Sequence, residues 1–356
     1  MDPRLMDARR AASLPSTELE RLARQIGNTP MEPVDLVMQT GIRRIHLKLE
    51  GANPTGSMKD RTGLALIQQL EQQGRLHADS IVIESSSGNL GVALSLLCKA
   101  RGYSFTVVID PKATQENIGK MQALGAQIDM MCRQDSKGGY LLSRLERVQA
   151  LCRLSDRYVW TNQYANAANP FIHYSSTAPE IFEQMHGQVG AVFVPVSTGG
   201  TLAGVGRFFR EHSPRTHIIG VDARGSVVFG APAAPRKLTG IGSSRPSSFL
   251  DSHLYDAHIL VGDEEAFAFC RALYASTGMK VGGSSGAVLA ACTFYLPAHP
   301  ELNNIVCICA DDGENYSSSI FNDGWLRQHG VQLCAEHLGG VEAIIHAQAH
   351  SLSGKG

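Results

Sequence analysis

The chain has no stretch approaching the roughly 20 consecutive apolar residues of a membrane-spanning helix, so no membrane span is expected. Nor has it an excess of either charge: 32 Lys and Arg against 33 Asp and Glu leave a formal net charge of -1. That balance gives no electrostatic reason to expect nucleic acid or an anionic membrane as partner. The cysteines Cys98, Cys132, Cys152, Cys270, Cys292, Cys307, Cys309 and Cys334 include no CxxC pair. Several lie inside apolar runs such as Ile305-Val306-Cys307-Ile308-Cys309, where cysteine acts as a small hydrophobe. Reduced thiols in a cytoplasmic protein are therefore expected. The residues ahead of Ile26 mix Asp2, Asp7 and Glu18 with arginines and hold no apolar core, so no secretory signal is expected. A hydrophobic content of 43% with 18% charged residues excludes a disordered chain, and 356 residues leave room for two packed domains.

What is present is an alternation of short apolar runs with longer helical stretches. Ile81-Val82-Ile83-Glu84 predicts a buried strand, then a glycine turn, then a helix over Leu90 to Ala100. Phe105 to Ile109 is the next strand, ahead of a helix from Gln115 to Gly125. Val192 to Val196, the turn Ser197 to Thr201 and a helix from Leu202 to Glu211 repeat the unit in the second half. Ile218 to Val221 and Asn304 to Ala310 supply further strands. This spacing predicts parallel sheets covered on both faces, and its recurrence in both halves predicts two α/β domains. The polar segment from Thr161 to Pro170 reads as a domain crossing, and 331–356 as a C-terminal tail. His346 and His350 in that tail are four apart and could share a helix face, but a pair without a third ligand makes no metal site, and none is expected.

Four segments carry chemistry. Asn53-Pro54-Thr55-Gly56-Ser57-Met58-Lys59 runs from a turn into a helical pattern over Thr62 to Gln73. A lysine in the first turn of a helix is most often a solvated charge, and Lys59 gains meaning only from the other three segments. Ser197-Thr198-Gly199-Gly200-Thr201 lies between a strand and a helix, where two glycines let the backbone approach an anion and the helix start offers unpaired N–H groups. It has no Walker lysine, which argues against a nucleoside triphosphate. Glu84-Ser85-Ser86-Ser87-Gly88-Asn89-Leu90-Gly91 is a second strand-to-helix turn, able to hold a carboxylate or simply to cap a helix. Gly282-Gly283-Ser284-Ser285-Gly286 opens an apolar helix over Val288 to Cys292, where close helix packing explains the small residues equally well.

In this order the four segments resemble the β-family of pyridoxal-phosphate enzymes, the fold-type II group that holds cysteine synthase and the tryptophan synthase β chain. The resemblance spans roughly Ile26 to Trp325. It implies an α/β fold of two domains with parallel sheets and the cofactor, pyridoxal 5'-phosphate, in the cleft between them. It also implies a homodimer acting on small amino-acid substrates. On this resemblance residues 53–162 form a small mobile domain with the substrate-carboxylate loop, and 1–52 with 163–330 the large cofactor-phosphate domain. Lys59 matches the lysine that forms the internal aldimine and later carries the proton at the substrate Cα, a task that needs a lowered pKa. Ser197, Thr198, Gly199, Gly200 and Thr201 match the cofactor-phosphate loop. Asn89 matches the asparagine beside the ring hydroxyl, and Ser284 the residue facing the pyridine nitrogen. Ser86, Ser87 and Gln163 match positions that bind the substrate α-carboxylate. A serine at the ring nitrogen makes a weaker electron sink than an aspartate would, which suits β-elimination to an α-aminoacrylate followed by attack at Cβ.

The loop departs from cysteine synthase at Leu90, where that family carries a hydroxyl. The run from Glu84 to Leu90, with Val108 to Lys112 after it, is more similar to the N-(2-amino-2-carboxyethyl)-L-glutamate synthases of siderophore pathways. These take O-phospho-L-serine and L-glutamate and supply the precursor of L-2,3-diaminopropionate. Arg245, in the glycine-rich segment Thr239 to Pro246, could pair with a leaving phosphate or a glutamate carboxylate, or be a surface arginine ahead of a proline. Tyr164 and Arg133 are further candidates for the second substrate on weaker grounds. Cysteine synthase, threonine dehydratase-like chemistry and a cofactor-binding regulator without turnover are the alternatives.

Overall fold

The computed structural model describes residues 16–39, 41–135 and 139–347. Helix α1 (Ser16–Gln25) precedes the antiparallel strands β1 (Met31–Met38) and β2 (Gly41–Leu49). There follow α2 (Lys59–Gln72), β3 (Ile81–Ser85), α3 (Asn89–Arg101), β4 (Ser104–Ile109), α4 (Gln115–Ala123) and β5 (Gln127–Met130). Next come α5 (Leu141–Leu154), β6 (Tyr158–Trp160), α6 (Ala168–Ile172), a π-helical turn at His173–Thr177 and α7 (Ala178–Gln184). The remainder is β7 (Ala191–Pro195), α8 (Gly200–His212), β8 (His217–Ala223), β9 (Ala257–Val261), α9 (Asp263–Thr277), α10 (Gly283–Tyr295), β10 (Ile305–Cys309), α11 (Asp323–Gln328) and β11 (Val341–His346). The described residues fall into two compact units, one ending at Ile26 and resuming over Lys59–Ala168, the other made of Gly27–Met58 and the chain from Asn169 onward. No helix among the described residues is long and apolar enough to cross a membrane.

The first unit is built on a four-stranded parallel sheet in the order β5-β4-β3-β6, with Ile83 beside both Thr106 and Trp160. Ile83 and Val108 pack with Val148 and Leu151 of α5, while Leu64 of α2 and Leu97 of α3 pack with Leu22 of α1. Helix α3 buries Leu90, Val92, Ala93, Leu94, Leu97 and Cys98, and a helix apolar on nearly every side belongs inside a domain. It stops at Gly102, which takes the left-handed conformation (φ 75°) and donates its N–H to the carbonyls of Cys98 and Lys99.

The second unit carries a seven-stranded sheet in the order β11-β1-β2-β10-β7-β8-β9. The five strands from β2 to β9 run parallel, with Ile305 beside both Ile45 and Ala191. The sheet is not parallel throughout: β1 runs antiparallel to both β2 and β11. The expected tail thus contains an edge strand, and its His346 lies on that strand with Nε2 3.5 Å from the Glu32 carboxylate. His350 and the Ser/Gly end of the chain lie outside the described residues, as do residues 136–138 of the stretch after Arg133. Lys48 of β2 is fully buried and its ammonium donates to the Thr29 carbonyl, the Glu180 carboxylate and the Gln184 side chain at 2.8, 2.8 and 2.9 Å. A buried ammonium persists only when its donors are spent in this way.

The five strands and five helices expected from the apolar runs are all present. Four of the helices start earlier than expected because Lys59, Asn89, Gly200 and Gly283 already belong to their first turns, while α4 starts at Gln115 as expected. The turn at Gly282 does not follow a strand in the chain, since α9 precedes it. It reaches the carboxyl end of β10 instead through a bridge between Val281 and Asp312 and a bond from the Gly282 N–H to the Asp311 carbonyl.

Candidate active site

The turn ahead of Lys59 is held by backbone hydrogen bonds. Asn53 accepts from the Gly56 N–H at 2.8 Å, the Met58 N–H donates to the Ala310 carbonyl at 2.8 Å, and Asp312 donates back to the Gly56 carbonyl at 3.0 Å. Gly56 has φ +86° and the Asp312 carboxylate lies where a Cβ would be, so only glycine fits. Lys59 is the first residue of α2 and is half-buried, followed by the buried Asp60, Arg61 and Thr62.

In the first unit, Ser86 and Ser87 lie between β3 and α3, with Gly88 as the N-cap and Asn89 as the first residue of α3. The Ser86 hydroxyl accepts from the Gly91 N–H at 3.1 Å, which closes the turn. The Ser87 hydroxyl donates to the Asp110 carboxylate at 3.0 Å and accepts from the Asp110 N–H and the Arg144 guanidinium, both at 3.1 Å. Its side chain is therefore tied into an Arg144–Asp110 ion pair, leaving the turn's backbone as its exposed chemistry. Gln163, remote in sequence, reaches the same turn by donating its side-chain amide to the Ser85 carbonyl at 3.0 Å.

Glu84 is the reason these two segments meet, and nothing in its local sequence marked it for a role. Fully buried at the end of β3, its carboxylate accepts from the Ser85 N–H, Trp160 Nε1, the Thr161 hydroxyl and the Gln163 N–H at 2.7, 3.1, 2.6 and 3.0 Å. Burial pushes its carboxyl above the usual range, while the four donors oppose that shift.

In the second unit, Ser197 to Thr201 join β7 to α8. Gly199 is left-handed (φ +91°), with the Ser247 hydroxyl standing where a Cβ would go, and at Gly200 the Asn169 side chain stands there instead. The Ser197 hydroxyl donates to the Gly242 carbonyl at 3.1 Å, so the segment holding Arg245 is tied to the start of this turn. The Thr198 hydroxyl accepts from Asn169 at 3.1 Å, and the Thr201 hydroxyl lies 3.3 Å from Nε2 of the buried His173. Ser284, in the first turn of α10, is 1% exposed and its hydroxyl has no hydrogen-bond partner among the described residues. Of the weaker candidates, Arg133 is exposed and paired with Glu146 at 2.6 Å, while Tyr164 is half-buried beside Gln163.

Asp222 lies fully buried near the end of β8, after an apolar run. Burial pushes its carboxyl up to about 6 from an ordinary 3.8, against bonds from Ser226 and the Ala223 N–H and the charge of Arg236. A folded-state pKa above the unfolded one adds stability that is complete below the ordinary value and is lost as pH rises through about 6. Asp222→Asn is therefore expected to flatten the decline of unfolding temperature between about pH 4 and about pH 6, measured by thermal melts against pH. An unchanged slope would remove Asp222 as its source.

A family model described as pyridoxal-phosphate dependent enzyme matches residues 22–311. The N-(2-amino-2-carboxyethyl)-L-glutamate synthase of Cupriavidus metallidurans is 38% identical over 322 residues, spanning 90% of this chain and 94% of that protein. The protein of the same name from Ralstonia nicotianae is 36% identical over 325 residues, spanning 91% and 95%. Among solved structures, a hydrogen sulfide-producing enzyme of Fusobacterium nucleatum has a TM-score of 0.77 at 29% identity, over 83% of this chain and 98% of that one. The chain belongs to the pyridoxal-phosphate dependent enzymes, and pyridoxal phosphate is its cofactor.

Proposed function

We propose that this enzyme replaces the phosphate of O-phospho-L-serine with the amine of L-glutamate, forming N-(2-amino-2-carboxyethyl)-L-glutamate and inorganic phosphate. The observation that carries the reading is the similarity to two synthases of that product along nine-tenths of the chain. The product's name fixes the chemistry: a C–N bond forms at Cβ of a three-carbon amino acid, and the group on that Cβ leaves with its electron pair.

The residues present fit the cofactor. A phosphate accepts hydrogen bonds and donates none at its charged oxygens, and the turn at Ser197 to Thr201 offers hydroxyls and helix-start N–H groups. The orphaned Ser284 hydroxyl fits a ring nitrogen, and Asn89 a ring hydroxyl. When bound, pyridoxal phosphate supplies the electron-withdrawing ring that makes the substrate Cα proton acidic.

The chain's own residues do the rest in this reading. Lys59 holds the cofactor through its amine and takes the proton from substrate Cα. Ser86, Ser87 and Gln163 bind the α-carboxylate, Ser87 through its N–H since its hydroxyl is committed to Asp110 and Arg144. Ser284, a neutral hydroxyl, leaves the ring nitrogen without a strong acid, which favours loss of the β-substituent over transamination. Arg245 pairs with the departing phosphate or a glutamate carboxylate. In the same reading the enzyme is a cytoplasmic homodimer and its product feeds 2,3-diaminopropionate formation for a siderophore.

The similarity to a hydrogen sulfide-producing enzyme favours a second reading, cysteine synthase, with sulfide as nucleophile on O-acetylserine or O-phosphoserine. Phosphate release from O-phospho-L-serine, measured with L-glutamate or with sulfide and with products weighed by mass spectrometry, separates the two. Release that depends on glutamate and yields the amine adduct is the expected result. Release with sulfide alone and formation of cysteine would overturn it in favour of the second reading.

A further inference from the structure

Helix α8 is pressed against the segment that precedes it in the fold. At Gly204 a Cβ would strike the Pro170 carbonyl and come within 2.8 Å of the His173 Cβ and the Tyr174 nitrogen. This approach, together with the missing Cβ at Gly200, brings α6 and the π-helical turn under the Ser197–Thr201 turn. Two buried side chains reach it from there. Asn169, 2% exposed, donates to the Thr198 hydroxyl at 3.1 Å. His173, fully buried, has Nε2 3.3 Å from the Thr201 hydroxyl and Nδ1 2.9 Å from the hydroxyl of Thr177, which is fully buried too. The wide turn at His173–Thr177 is itself unusual, since π-helical turns are rare and concentrate at functional sites.

We infer that His173 is a positioning residue that fixes the Thr201 hydroxyl as a donor toward a bound phosphate. The inference rests on the proposal that Ser197 to Thr201 hold the cofactor phosphate. A phosphate dianion only accepts, so the Thr201 proton must point at it, and the Thr201 oxygen must accept from whatever lies behind. His173 Nε2 lies there and must carry the ring proton. Nδ1 then has only a lone pair, which the Thr177 hydroxyl fills as donor. The chain Thr177 to His173 to Thr201 thus has one consistent direction of hydrogen bonding, ending in a proton aimed into the turn. With the other tautomer Nε2 would accept from Thr201 and withdraw that proton from the anion. Here the histidine makes no proton transfer and works by holding one hydroxyl in its useful orientation before the cofactor arrives.

The test is equilibrium binding of pyridoxal phosphate to the apoprotein, with the ³¹P resonance of the bound phosphate as a readout apart from turnover. Thr201→Ala and His173→Phe are each expected to raise the cofactor Kd about 10-fold and to move the ³¹P resonance in the same direction. The double variant is expected to bind no more weakly than Thr201→Ala alone, because the two residues act through one hydroxyl. His173→Gln, whose amide can still donate to Thr201, is expected to stay within about threefold of the unmodified protein. His173→Asn, which keeps an amide near Thr177 but is too short for Thr201, carries the same test should phenylalanine not fold. A raised Kd for Thr201→Ala with unchanged Kd and ³¹P resonance for both His173→Phe and His173→Asn would overturn the role of His173 alone. Additive losses in the double variant would do the same. An unchanged Kd for Thr201→Ala would remove the phosphate assignment and this inference with it.

Discussion

Replacing Lys59 by alanine is expected to lower phosphate release from O-phospho-L-serine by about 10³-fold, the scale lost when a positioned acid–base group is removed. The fold should not suffer. Lys59 opens α2, where alanine is the best helix former, and the turn before it is held by the backbone bonds of Gly56, Met58 and Asp312. Borohydride treatment followed by denaturation and mass measurement gives the companion readout. The unmodified protein should keep the cofactor's mass and the variant should not, while its unfolding temperature stays put. Retained mass in the variant would move the covalent role to another lysine.

The elements legible in the sequence are those whose local pattern matches their final surroundings. Strands β3, β4, β7 and β10 lie inside sheets, so Ile81 to Glu84, Phe105 to Ile109, Val192 to Val194 and Ile305 to Cys309 are nearly unbroken apolar runs. Strands β1 and β2 hide their period. Val34, Leu36 and Met38 alternate inward along β1, but Pro33, Glu32 and Asp35 between them resemble a loop. In β2, Arg43, Arg44, His46 and Lys48 suggest a solvated segment, yet Lys48 is buried by partners on α7 more than a hundred residues away. No local pattern announces a partner at that distance. Strand β11 buries only Val341 and Ile344, too few to stand out from an irregular end.

The site divides along the same line. Ser86 to Asn89, Ser197 to Thr201 and Ser284 are contiguous motifs at helix starts, and their geometry follows from the motif itself: a left-handed Gly199, an N-capping Gly88, an N-capping Gly282. Glu84, Asn169 and His173 act across separations of 79, 29 and 28 residues. Only the fold brings them to the turns they hold. The one local hint at His173 is its spacing of four from Thr177, which an ordinary helix satisfies equally well.

Glu84 is where such a long-range contact has the largest consequence for stability. Replacing it with alanine strips the acceptor from the Ser85 and Gln163 N–H groups, Trp160 Nε1 and the Thr161 hydroxyl at once. Each buried donor left unmet costs about 1–3 kcal/mol, so a total loss of about 4 kcal/mol or more is expected even after partial relaxation. Glu84→Gln keeps one oxygen and turns an NH₂ toward groups that are themselves donors, with an expected loss of about 2–3 kcal/mol. Urea unfolding followed by near-ultraviolet circular dichroism reads the effect directly, because Trp160 is one of only 2 tryptophans and is bonded to Glu84. A function-level signature should accompany it. Gln163 is held by Glu84 through its N–H and by Ser85 through its side chain, so its loosening should raise the KM for O-phospho-L-serine. The hold on the cofactor phosphate should change less, since the Ser197 to Thr201 turn takes its hydrogen bonds from Asn169, His173, Gly242 and Ser247 instead. Unchanged stability in both variants would mean that water replaces the carboxylate, and Glu84 would then have no claim on the geometry of the turn.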